Sequence, residues 1–264
     1  MTATLSDLEA VADAFTSARR NCRGLTEYPG KFPASLPEAY RIQDIAISKW
    51  PHKIAGWKVG GIGPEQAAEV GASKLAGPVF AHNVHHSTGE RIPMPIYAEG
   101  FGAVEAEIVF EVSRDAPVDK LDWTLEAAKK YIGDVRLGVE VASSPFPHIN
   151  EMGAFAPISD FGNNHGLILG EILPNWNESS LDDWIIETVI EGKSMGAKAP
   201  PEPYEAFRFI LENTARRGIP LKKGMLITTG AVTGVHRAYS GQSSTVSCTG
   251  VADIDLILTS QKPE

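Results

Sequence analysis

The sequence predicts an α+β fold in which a curled mixed or antiparallel β-sheet carries a small helical region at its N-terminus. Three observations predict it. Apolar residues recur at helical spacing through residues 1–50, and after Pro51 short, glycine-punctuated, strand-like stretches outnumber the helical ones. The 264 residues contain no internal repeat, and their 43% hydrophobic content suffices for one large core. The change of texture divides the chain into a helical N-terminal region, 1–55, and a sheet domain, 56–264.

Taken in order, Ser6 with Glu9 three residues on predicts a capping box, and Leu8, Val11, Ala12 and Phe15 share one helical face that ends near Arg20. A link rich in Pro and Gly follows over 24–37. Ser35-Leu-Pro-Glu38 then opens a second helix that turns Ala39, Ile42, Ile45, Ala46 and Trp50 toward a core. Residues 54–60 read as a strand with Lys58 inside it, where a lysine either snorkels from an edge or serves a site. Residues 63–75 read as a brief helix and the stretch to Pro95 as a loop, whose His82, His85 and His86 read as solvated surface rather than metal ligands.

Strands are predicted over 102–110 and 134–142, separated by a turn at 113–115 and a helix over 124–131. The loop 143–161, rich in Pro, Gly, Asn and Ser, predicts a lid or binding loop closed by Asp160, Asn163, Asn164 and His165. His148 within it reads as solvated. Further strands are predicted over 166–170 and 184–190, the latter ending at the turn Glu191-Gly192. A helix over 203–217 is stopped by Gly218 and Pro220. A strand at 226–230 and a hairpin of 244–248 with 252–258 close the chain.

The stretch Gly102-Ala-Val-Glu-Ala-Glu-Ile-Val-Phe110 bears most directly on chemistry. Its alternation places Val104, Ala106 and Ile108 on one face and the carboxylates of Glu105 and Glu107 together on the other. Such a pair is either the polar face of an edge strand or a site that holds a cation, and hard oxygen ligands at this spacing suit Mg²⁺ or Mn²⁺. Glu140 stands alone among the valines of the 134–142 strand, where a lone acid is costly unless paired or metal-bound. With Glu105 and Glu107 it supplies a third carboxylate. Lys58, Asp160 and His165 are the candidates for proton transfer, with Asp160 equally suited to bonding the loop's own amides.

Composition excludes several classes. The balance of 24 basic against 33 acidic residues, without long runs, leaves no electrostatic footprint for nucleic acid. No stretch approaches an uninterrupted membrane span, and residues 1–20 lack the basic start and apolar core of a signal peptide, so neither a membrane nor a leader is expected. Cys22 and Cys248 are far apart and in no metal-binding spacing, which fits a reducing cytoplasm.

With Gly56-Trp-Lys-Val-Gly60, Val104-Glu-Ala-Glu107, Gly138-Val-Glu-Val141, Asp160, Gly166-Leu-Ile-Leu-Gly170 and Leu226-Ile-Thr-Thr-Gly230 in that order, the chain resembles the 2-keto-4-pentenoate hydratase and oxalocrotonate decarboxylase family of the fumarylacetoacetate hydrolase superfamily. Gly218-Ile-Pro-Leu-x-x-Gly224, before the last of these, belongs to the same pattern. The resemblance implies a fumarylacetoacetate hydrolase-like catalytic domain, a homo-oligomer, and a Mg²⁺ or Mn²⁺ held by Glu105, Glu107 and Glu140. It implies a small 2-oxo acid substrate, hydrated in one branch and decarboxylated or cleaved in others. Lys58 is expected near the substrate's oxygens, with Asn164, Thr229 and Gly230 as further substrate contacts. The chain departs from the pattern where Val141-Ala-Ser-Ser-Pro145 replaces an expected Asp-Ser-Arg continuation, and where Ser159-Asp-Phe-Gly162 keeps the Asp but loses the Asn beside it. An acid often found after the lysine motif has no match over 75–80.

Overall fold

The computed structural model describes residues 3–263. The chain runs α1 (Leu5–Arg20), α2 (Leu36–Lys49), β1 (Ile54–Gly61), α3 (Pro64–Val70), β2 (Lys74–Phe80), β3 (Val84–His86), β4 (Ile92–Ile96), β5 (Phe101–Val112), α4 (Leu125–Lys129), β6 (Ile132–Ser144) and α5 (Phe155–Ser159). It continues through β7 (Asn164–Ile172), β8 (Ile186–Ile190), β9 (Lys193–Lys198), α6 (Pro203–Arg216), β10 (Leu226–Thr228), β11 (His236–Arg237), β12 (Ser243–Cys248) and β13 (Val251–Ser260). The expected α+β class is observed, with a curled mixed sheet ordered β2-β1-β10-β5-β6-β7-β3 and β11 added along β5. A second sheet, ordered β4-β13-β12-β8-β9, packs across β5, β6 and β7.

Strand β5 has two buried faces. Val104, Ala106, Ile108 and Phe110 enter the core between the sheets with Leu137, Val139 and Val141 of β6 and Ile254, Leu256 and Leu258 of β13. On the opposite face Phe101 and Ala103 join α1 and α2 through Leu8, Val11, Phe15, Ile42 and Ala46. The carboxylates lie on this second face, in the middle of a central strand, so the edge-strand alternative for Glu105 and Glu107 does not hold.

Several predicted elements are corrected. The capping box of α1 is Thr4 with Asp7, because Thr4 Oγ1 accepts from Asp7 N while Asp7 accepts from Thr4 N. Ser35 caps α2 as expected. The helix expected over 63–75 stops at Val70, where Gly71 takes a left-handed conformation, and Lys74 already begins β2. The helix α4 is shorter than expected because Tyr131 and Ile132 lead into β6. The supposedly structureless loop 143–161 contains α5 and buries Phe146, Ile149, Ala156 and Ile158.

Candidate active-site cleft

The antiparallel register of β5 and β6 sets Glu105 directly opposite Glu140, with Glu107 opposite Gly138, so all three carboxylates leave the sheet on one side. Glu107 and Glu140 are fully buried and Glu105 is 4% exposed. One carboxylate oxygen from each lies within 4.8 Å of the others. Strand β10 pairs with β5 through Thr228 opposite Val109, which puts Thr228 on the same face. Its Oγ1 donates to Glu140 Oε2 at 3.1 Å. Past the end of β10 the backbone turns, and the amides of Thr229 and Gly230 both donate to Glu107 Oε2, at 3.0 and 2.8 Å. Gly230 serves this turn at φ 113, a conformation that glycine adopts freely.

Strand β1 lies parallel to β10 and carries Lys58 to the same place. The Lys58 ammonium is 3.3 Å from Glu140 Oε1. Lysine and acids therefore form one buried electrostatic unit. Burial pushes the Glu105 carboxyl up to about 7, opposed by the Lys58 charge and reinforced by Glu140. Burial and then the Glu140 and Glu105 charges hold Glu107 well above the ordinary carboxylate range. For Lys58 burial acts downward, but the combined charges of Glu140, Glu105 and Glu107 outweigh it and keep the ammonium protonated beyond the usual lysine value.

The residues fit a hard divalent cation. Glu107 Oε1 is buried with no hydrogen-bond donor and Glu140 Oε1 meets only the Lys58 ammonium, while the second oxygen of each is held by Thr228, Thr229 or Gly230. Each of these two carboxylates is thus oriented through one oxygen and turns the other toward its neighbours, bare in Glu107 and shared with Lys58 in Glu140. Buried bare carboxylate oxygens are costly unless a cation meets them. Lys58 and Glu105 open onto a cleft of about 310 Å³, whose walls include Asn163, Asn150, Gln66 and Pro157.

The structure thus brings together Lys58, Glu105, Glu107, Glu140, Thr229 and Gly230 from the predicted set. Asp160, Asn164 and His165 assemble elsewhere, around Arg19 from α1. The Arg19 guanidinium grips both oxygens of Asp160, at 2.5 and 3.0 Å, and donates to the carbonyls of Asn164 and Ser143. It also lies 3.4 Å from His165 Nδ1, and His165 Nε2 meets Gln261 Oε1 at 3.1 Å. Burial, then the Arg19 charge, lowers His165 to about 3, so the imidazole is neutral. Asn164 and His165 line a separate cavity of about 40 Å³ beside Arg19. Both acceptor oxygens of Asp160 are occupied by Arg19, which leaves the carboxylate as an anchor for its own loop.

Sequence reasoning did not single out Thr228 or Arg19 as functional, and it placed Asn163 at the close of the predicted binding loop without a role of its own. Arg19 had a signal, because it follows Phe15 by one helical repeat and so falls on the apolar face of α1. Thr228 depends on the pairing of β10 with β5 and has none of its own.

No protein-family model matches the sequence, and a search of curated proteins finds no match. Solved structures do. A 4-oxalocrotonate decarboxylase from Pseudomonas putida G7, complexed with calcium and acetate, superposes with a TM-score of 0.78 over 97% of this chain and 99% of that chain, at 18% identity. The same enzyme complexed with magnesium and adipate gives 0.77 over the same shares, at 19% identity. A fumarylpyruvate hydrolase from Pseudomonas aeruginosa in complex with Mn²⁺ and pyruvate gives 0.57 over 80% of this chain and 91% of that chain, at 13% identity. The chain therefore shares the fold of these two enzymes. At these identities the likeness establishes architecture, and the chemistry rests on the side chains. Among the described residues no helix is long and apolar enough to cross a membrane.

Proposed function

We propose that this protein is a divalent-metal-dependent lyase that adds water to a 2-hydroxy-2,4-dienoate, giving a 4-hydroxy-2-oxo acid. The observation that carries the reading is the convergence of three buried carboxylates, one with an unpaired oxygen, beside one buried lysine at the edge of a cleft. Glu105, Glu107 and Glu140 would hold Mg²⁺ or Mn²⁺. When bound, such an ion supplies Lewis acidity toward the adjacent carboxylate and keto oxygens of a 2-oxo acid. Three carboxylates, a divalent ion and Lys58 sum to a neutral site, so the substrate's own carboxylate enters without a like-charge penalty.

Lys58 in this reading is a fixed ammonium. Held protonated by the acids around it, it stabilises the negative charge that develops on the substrate's keto oxygen during enolisation. The amides of Thr229 and Gly230 and the Thr228 hydroxyl keep Glu107 and Glu140 aimed, so the site reorganises little as charge moves. Over the reaction one water adds its oxygen to C4, and two protons reach carbon, one at C5 and one at C3. One is the dienol's hydroxyl proton and the other comes from the water. Asp160 and His165 act in this reading as supports for the cleft wall.

Decarboxylation of a 4-oxalocrotonate-like diacid is the second reading, favoured by likeness to a decarboxylase over nearly the whole chain. Lys58, however, is the only cation among the described residues lining the cleft, which supports a substrate with a single carboxylate. Incubation with 2-hydroxypenta-2,4-dienoate and with 4-oxalocrotonate, each with Mg²⁺, separates the two. Ultraviolet loss with the first substrate is expected. Release of CO₂ from the second with no turnover of the first overturns hydration.

A further inference from the structure

Asn163 is an unexplained polar group in the cleft wall. It is 4% exposed, and its Oδ1 is buried with no hydrogen-bond donor among the described residues. Native proteins leave few buried acceptors unpaired, so such an atom beside a cleft calls for a partner. The backbone is committed to holding it there. Phe161, Gly162 and Asn163 are all left-handed, at φ 53, 65 and 63, and Asn163 N donates to the Asp160 carbonyl at 2.8 Å. The segment is pressed inward. A methyl added at Gly162 would lie 2.7 Å from Gly77 Cα and 3.2 Å from Lys58 Cδ. Arg19 on Asp160, Tyr28 on Ser159 and Gln43 on the Ile158 carbonyl tie the same segment to the N-terminal helical region.

Chemistry narrows what this acceptor meets. The dienoate's own donor, its C2 hydroxyl, stands beside the carboxylate at the end that would face the metal, and the carboxylate itself only accepts. Along the carbon chain, the donor that hydration introduces is the water that attacks C4, which becomes the C4 hydroxyl of the product. We propose that Asn163 contacts the substrate as the hydrogen-bond acceptor for this C4 water or hydroxyl, and so sets where water adds. The assignment rests on the hydration reading and deepens it.

The test is calorimetric and needs no turnover. The Mg²⁺-loaded protein is titrated with 4-hydroxy-2-oxopentanoate and with 2-oxopentanoate, which lacks only the C4 hydroxyl. The wild type is expected to prefer the hydroxy acid by about tenfold, the worth of one buried hydrogen bond. Asn163→Gly, which tolerates the left-handed backbone, is expected to bind both acids alike. Asn163→Asp, which keeps an acceptor, is expected to retain the preference, with melting curves reporting that each variant folds. Equal affinity of the wild type for the two acids overturns the proposal alone, as does a preference that survives in Asn163→Gly. Failure of the wild type to bind either acid overturns the proposal together with the hydration reading.

Discussion

Raising the pH of the metal-free protein should destabilise it, in a way that Glu105 makes measurable. The Glu105 carboxyl titrates near 4.5 in an unfolded chain and is pushed up to about 7 in the fold, by burial above all. The folded protein therefore binds this proton more tightly than the unfolded one. The stability it contributes is present below pH 4.5 and is lost as the pH rises through about 7. A displacement of this size is worth about 3 kcal/mol. For a chain of this length that is a fall of roughly 6–12 °C in melting temperature. Glu107 moves in the same direction. His165 moves oppositely, since a buried neutral imidazole favours the fold more as the pH rises from about 3 toward 6.5. The comparison that isolates the acid is between the wild type and Glu105→Gln, both in EDTA, melted from pH 4.5 to 7.5 and followed by circular dichroism. The wild type should lose stability relative to the variant across this window. A hundredfold excess of Mg²⁺ over its Kd should restore about 3 kcal/mol to the wild type at the upper end. Parallel curves for wild type and variant would refute the reasoning.

Other expectations concern the scaffold. Arg19→Ala leaves the fully buried Asp160 without its ion-pair partner and should cost about 3–5 kcal/mol, read from urea unfolding. Replacing both partners, as Arg19→Met with Asp160→Leu, should recover part of that loss. Gly77→Ala places a methyl 2.3 Å from the Phe161 carbonyl, so it should lower stability by about 1–3 kcal/mol and weaken turnover by displacing the segment that carries Asn163.

How far the sequence disclosed the molecule follows from where each signal resides. The carboxylate site was legible because strand alternation pairs Glu105 with Glu107, and because Glu140 interrupts a run of valines. What holds those acids was not. Thr228 and the amides of Thr229 and Gly230 reach them only through the pairing of β10 with β5, more than a hundred residues apart. The grip of Arg19 on Asp160 spans 141 positions, and so the Asp160 loop resembled a site from its composition alone. The strands that sequence patterning missed include β2, β3, β4 and β9, and each lies at the edge of its sheet. Pro78 in β2 and Pro93 and Pro95 in β4 argue against strand in any reading of pattern, yet an edge strand tolerates proline because one side makes no ladder bonds. Lys193-Ser-Met-Gly-Ala-Lys198 in β9 is too polar to alternate, which also suits an edge.

The central claim is that Glu105, Glu107 and Glu140 form a divalent-metal site, and Mg²⁺ titrated calorimetrically into the wild type and into Glu107→Ala tests it most directly. The wild type should give saturable heat, strengthening as the pH rises past 7 and Glu105 loses its proton, and the variant should give none. Absence of ion-dependent heat in the wild type, or equal heat in the variant, would contradict the account.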